Sequence, residues 1–381
     1  MDRLAGMRGE VAGMHGESGV GAAEAKTALA LDLKEQGEYA KALELLKEAL
    51  GIYQAELSEE EQQQHIGIAR AYGIMGVVYE QQGKYEMALE QHKMCLAIRI
   101  KALGEDHPDV AATYNNIAIV YDNQGKYTMA LDQYEKGLAV QIKALGEYHP
   151  DVAATYNNIA VVYARQCKDE MALEQFEKCL AIRIKALGED HPDVATTYHN
   201  MGGVYDRQGK DEIALELYVK GLAIRIKALG EDHPDVAATY NNIAIVYDNQ
   251  GKYAMALEQY EKGLAIKVKA LGEDHPHVAD TYSNVAGVYV NQGKYEMALE
   301  LYGKGLAIKI KALGENHPDV ADTYNNIANT KYNMAMLLAR QGELARAGGL
   351  FRAAIRSKVL GAEHEETLDA LECARECEQG V

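Results

Sequence analysis

The block GEDHPDV, or a close variant of it, starts at Gly104, Gly146, Gly188, Gly230, Gly272 and Gly314, one return every 42 residues. Between residues 104–145 and 230–271 only five positions differ: Thr128/Ala254, Asp132/Glu258, Val140/Ile266, Gln141/Lys267 and Ile142/Val268. A period of this length marks a repeat architecture, in which no unit buries its apolar face alone and each stacks on its neighbours. That constraint overrides the two or three globular domains that 381 residues would otherwise suggest. Such close similarity also means recent copying, so the return of a residue is not by itself a sign of function.

Punctuation divides each unit into two helices. Pro108 suits a first helical turn, where its missing N–H is not needed, and Asp109 complements the positive end of the helix dipole. The first helix is expected to stop at Gly125, and the second to run from about Lys126 to Leu145, with Lys143 in its last turn. No segment sustains the period-two alternation of a strand. Counting inter-helix turns at Gly37, Gly83, Gly125, Cys167, Gly209, Gly251, Gly293 and Gly342 gives eight antiparallel helix pairs. The expectation is an all-α, right-handed superhelical solenoid over residues 25–364. A loose segment, 1–24, precedes it, and a C-terminal capping helix and tail, 365–381, follow. The seven extra residues around ANTKYNM are almost two turns, so Met334, Ala335 and Leu338 continue the apolar seam of one longer helix.

At about 100° per residue, Tyr114, Ile117, Ala118 and Tyr121 fall on one arc of the first helix. Asn115, Asn116, Ile119, Asp122 and Asn123 fall on another, polar yet largely uncharged. Asparagine in a helix interior gives up roughly 0.5 kcal/mol relative to alanine, so the Asn pair calls for a reason. The inner amide returns as Asn116, Asn158, Asn200, Asn242, Asn284 and Asn326. The outer one appears as Asn115, Asn157 and Asn241, and as His199 and Ser283.

The spacing Tyr114-x2-Ile117-Ala118-x2-Tyr121, followed by Ala130-x3-Tyr134, resembles the tetratricopeptide signature, with Tyr and Ile in place of its Trp and Leu. The 42-residue variant with its GEDHPDVA connector is similar to the repeats of kinesin light chains. The resemblance runs from about Ala25 to Glu378 and implies that first helices line a concave groove where asparagines hold the main chain of a bound peptide. An amide, with both donors and acceptors, can do this whatever the peptide's side chains. The competing structural account has the amides bonding to a neighbouring helix. Around the ladder, Arg165, Arg207 and His199 replace neutral residues and form a candidate anion-favouring patch. Two family features are missing. Ala112, Ala154, Thr196, Ala238, Asp280 and Asp322 stand where chaperone-binding relatives carry carboxylate-clamping lysines. Nothing before Ala25 supplies heptads, so pairing with a kinesin heavy chain is not supported.

Other chemistry finds little footing. A net charge of −18 disfavours nucleic acid and anionic membranes, and favours partners with basic segments. No apolar run approaches the ~20 residues of a membrane span, and a cytoplasmic protein is the expectation. His107, His149, His191, His233, His275 and His317 each precede the position that opens a helix and belong to separate repeats, which points to helix starts rather than a metal site. His275 and His277 lack a third ligand. Cys95, Cys167 and Cys179 read as small buried residues, and Cys373 and Cys377 are two ligands short of a closed zinc site. No phosphate loop, nucleophile elbow or HExxH occurs. The 25 tyrosines fall on packing positions. The expectation is therefore a non-enzymatic scaffold without cofactors that binds a protein or peptide in its groove. The alternatives are a spacer or self-assembling solenoid, and a regulatory repeat region of a larger signalling protein.

Overall fold

The computed structural model describes residues 19–357. Those residues form helices joined by short turns, without a strand, and fall into two compact units, Met1–Glu189 and Asp190–Val381. The expected capping helix, with Cys373 and Cys377, lies outside the described residues.

In the first unit the helices are α1 (Gly19–Glu35), α2 (Tyr39–Glu56), the short α3 (Glu59–Gln62), α4 (Ile66–Gln81), α5 (Tyr85–Leu103), α6 (Pro108–Asn123), α7 (Tyr127–Leu145), α8 (Pro150–Arg165) and α9 (Asp169–Leu187). The second unit holds α10 (Pro192–Arg207), α11 (Asp211–Leu229), α12 (Pro234–Asn249), α13 (Tyr253–Leu271), α14 (Pro276–Asn291), α15 (Tyr295–Leu313), α16 (Pro318–Arg340) and α17 (Leu344–Ser357). Leaving out α3, these are the eight expected pairs. Each first helix packs most heavily on its own second helix, and within a unit that second helix meets the next pair. α1 corrects the expected boundary: it begins at Gly19, and Ala23 is fully buried. Residues 1–18 of that expected loose segment lie outside the described residues.

Connector chemistry explains the helix boundaries. His107 Nδ1 accepts the Asp109 N–H at 3.1 Å and so caps α6, while Pro108 removes a donor that would have no partner. The other five connector histidines cap their helices in the same way, His275 taking the N–H of His277. α6 ends in a Schellman turn: Gly125 has φ 71, its N–H bonds Asp122 O at 2.8 Å, and the Lys126 N–H bonds Tyr121 O at 2.8 Å.

Cys95 and Cys179 are buried as expected, but Cys167 is exposed. It occupies the same turn with φ 56, a conformation that costs a residue with a Cβ about 1 kcal/mol. Cys167→Gly is expected to stabilise the protein by about 1 kcal/mol, seen as a higher urea midpoint with an unchanged slope. A lower midpoint would contradict the strain.

The aromatic seam is the core. Tyr134, Phe176, Tyr218, Tyr260 and Tyr302 occupy one register of the second helices and are all buried, with Ile117, Ala118 and Tyr121 among the first-helix residues facing them. Tyr114 is only half-buried, whereas Val110, Thr113 and Val120 are buried as well. This second stripe exists because a first helix also packs on the preceding pair. In α16, 23 residues against 16 in α6, Ala335 and Leu338 extend the seam as expected.

Candidate partner-binding face

Within each unit polar rows cross the stacked first helices at three registers, and each register carries bonds between repeats. The deepest is built on threonine. Arg225 is 7% exposed, donates to Thr239 Oγ1 at 2.6 Å and to Asp235 O at 3.1 Å, and so ties α11 to α12. Arg99 does the same to Thr113 and Asp109 O, and Lys267 reaches Thr281 at 2.8 Å. Burial lowers the pKa of Arg225 and of Lys267, against the pull of Asp235 and Asp280 respectively. At the same register Gln141 is neutral, and the Thr155 hydroxyl turns to donate to it at 2.7 Å.

A second row lies at the last turn of the first helices. Asn123 donates to Glu80, Arg165 pairs with Asp122 at 2.6 Å, and Asn291 bonds Asp248, each bond spanning 43 residues. Asp122, placed by the angular reading on the open arc, is buried beneath this contact. Burial raises its carboxyl pKa, and the Arg165 guanidinium opposes that rise. Burial likewise raises Glu80, opposed by Asn123.

Between these rows lies the carboxamide row. Asn115 Nδ2 donates to Thr155 Oγ1 at 2.7 Å, and Asn115 Oδ1 is 2.6 Å from the point where a Cβ on Gly137 would stand. Asn115 therefore works between helices. In the second unit Asn242 Nδ2 donates to His199 Nε2 at 3.0 Å, and Asn284 Nδ2 to Asn241 Oδ1 at 3.0 Å. Asn157, Asn200 and Arg207 have polar partners too. Asn116 and Asn158 are half-buried and form no side-chain hydrogen bond among the described residues. The residue 43 before Asn116 is Gly73, which has no side chain to offer. The residue 43 before Asn158 is Asn115, already turned to Thr155. Asn326 is exposed.

His199 and Arg165 do not supply the expected anion-favouring charge. Burial, followed by Arg225, holds His199 to a pKa of about 4, so its imidazole is neutral at physiological pH. Arg165 is paired with Asp122. The sequence reading also missed an apolar feature on the second helices: Met87, Met129 and Met171 in the first unit, and Ile213, Met255 and Met297 in the second, are exposed at one register. The 42-residue spacing would have exposed it. Among the described residues no helix is long and apolar enough to cross a membrane.

Capped helix pairs, an aromatic seam and a half-buried amide row define an all-α helical-repeat protein. Tetratricopeptide repeat models match residues 67–143, 123–185 and 151–227, residues 22–63, 236–277 and 278–319, and residues 328–353. The chain therefore belongs to the tetratricopeptide repeat family. It is similar to the nearly identical kinesin-light-chain TPR-like repeats of Podosopora anserina, with 28% identity over 55% of this chain and 99% of that one and a TM-score of 0.47. BtubC from P. vanneervenii shares the fold at 22% identity over 66% of this chain and 93% of its own, with a TM-score of 0.52. So does the apo form of RapI, at 17% identity over 81% and 99% respectively, also with a TM-score of 0.52. No curated protein matches the chain.

Proposed function

We propose that this protein is a non-enzymatic scaffold that binds an extended peptide of a partner protein along the carboxamide row of its first helices. The carrying observation is that Asn116 and Asn158, half-buried and in equivalent registers of successive repeats, have no side-chain hydrogen-bond partner in the described chain. Asn242 and Asn284 each donate one bond to a neighbouring repeat. Each still has a carbonyl and a second N–H to offer, enough to pair with a peptide backbone. The net charge of −18 steers cationic segments toward the protein and makes their capture weaken with salt. Cys95, Cys167 and Cys179 are free thiols, which suits the reducing cytoplasm.

A peptide selected from a random library should lose at least about tenfold affinity, ~1.4 kcal/mol, in the Asn116→Ala/Asn158→Ala double variant while helix content is unchanged. Because both side chains lack internal partners, the pair should not lower stability. Equal affinity of the variant and the parent protein for every selected peptide would end this reading.

A further inference from the structure

In the second unit α10 departs from its copies. From Thr239, α12 reads TYNNIAIVYDNQG, whereas α10, from Thr197, reads TYHNMGGVYDRQG. Two adjacent glycines weaken a helix interior, so Gly202 and Gly203 call for a reason. The Tyr218 ring supplies it for Gly202, where a Cβ would fall 2.8 Å from that ring. His199 meets the same ring edge-on, with centroids 5.4 Å apart. Gly203 is not crowded in this way. A Cβ there would stand 3.6 Å from the Tyr218 hydroxyl, an ordinary contact. Where α12 carries the branched chain of Ile245, Gly203 leaves a notch over that hydroxyl.

Two groups at the notch lack the partner their chemistry calls for. Tyr218 is only 2% exposed, yet its hydroxyl forms no hydrogen bond among the described residues and is not sealed from solvent. One turn on from Gly203, Asp206 is half-buried. Burial, then Asp211, raises its carboxyl pKa, and the Asn249 amide opposes that rise. No cation pairs with Asp206 among the described residues. Its counterpart Asp122 is neutralised by Arg165, 43 residues on, but the residue 43 after Asp206 is the neutral Asn249. Burial raises the Tyr218 pKa and the Asp206 charge adds to it, so the two groups are neighbours. Gly287 shares the register of Gly203, but Val290 takes the place of the acid there.

We infer that this notch receives a lysine or arginine side chain of the bound peptide, an inference that rests on the peptide-binding reading above. The apolar stem crosses Gly203, and the cationic head donates to the Asp206 carboxylate and to the Tyr218 hydroxyl oxygen. A half-buried carboxylate with a second acid near it and no cation of its own gains most from a positive ligand. An anionic or purely apolar side chain leaves that charge uncompensated. The net charge of −18 favours the same class of peptide.

Peptides are selected on the parent protein from a random library, and their binding is measured by fluorescence anisotropy. The selected peptides are expected to share a lysine or arginine. Replacing it by norleucine should weaken binding to the parent at least about tenfold, as for a hydrogen bond to a charged group. The same replacement should cost far less in Gly203→Ile and in Asp206→Asn, because the first fills the notch and the second removes its charge. Gly203→Ile brings in the side chain that Ile119 and Ile245 carry, in ordinary contact with Tyr218, and it favours the helix, so the fold is kept. Selected peptides without a shared basic residue, or a norleucine cost equal in all three proteins, would overturn the notch. If Asn116→Ala/Asn158→Ala still loses affinity in that case, the carboxamide row stands and the notch alone falls. Selection of no peptide would overturn both.

Discussion

His92→Phe should stabilise the protein by about 1–3 kcal/mol at neutral pH and by more in mild acid. His92 lies on α5 at the register filled by Tyr134, Phe176, Tyr218, Tyr260 and Tyr302 in later repeats. It is fully buried, and neither ring nitrogen has a hydrogen-bond partner among the described residues. Each such group costs about 1–3 kcal/mol of desolvation. Phenylalanine removes both polar atoms. The His92 ring packs against Gly76, where a Cβ would fall 2.5 Å from it, so a ring at this register already faces glycine instead of the alanine of most later repeats.

Acid makes the difference larger. Burial, reinforced by Arg99, lowers the His92 pKa from 6.5 to about 4. Between these values the unfolded chain takes up a proton that the folded chain refuses. The neutral histidine's contribution is therefore complete above pH 6.5 and is lost as pH falls through about 4. The loss is at most roughly 3 kcal/mol per buried histidine, and His199 adds a second. Urea unfolding at pH 7 and pH 5 measures both effects. The parent protein should weaken markedly at the lower pH, and His92→Phe should weaken less. Equal pH dependence of the two proteins would show that His92 is not held neutral.

The threonine row sets the second large effect. Arg225→Ala should cost about 2–3 kcal/mol, because a buried guanidinium and its stem leave a cavity between α11 and α12. Arg225→Gln should cost less than about 1 kcal/mol, since Gln141 fills the same register and Thr155 donates to it instead. Hydrogen exchange should locate the loss from Arg225→Ala at the first turns of α12. Equal losses in the two variants would mean that charge, and not a hydrogen-bonding stem, holds these repeats together.

The fold was legible because each repeat prints its own punctuation. The prolines and glycines of the connector, and the alternation of Tyr, Ile and Ala between them, specify two helices and the face on which they meet. Angular position along one helix could not show what the next repeat places opposite. Asp122 therefore looked open and is buried under Arg165, and Asn115 looked like a groove residue and bonds Thr155. Thr113 gave no signal, since threonine is unremarkable on either face and its role depends on Arg99, 14 residues earlier. The inner amides kept the register read from the sequence, but their hydrogen bonds depend on partners in the adjoining repeat.

The claim that the carboxamide row is a binding face is tested most directly by a crystal structure of the protein with a library-selected peptide. The peptide backbone should lie across the first helices, with the Asn116 and Asn158 side chains within about 3 Å of its N–H and C=O groups. A peptide seated on the exposed methionine row of the second helices, with both asparagines still unbonded, would contradict the account.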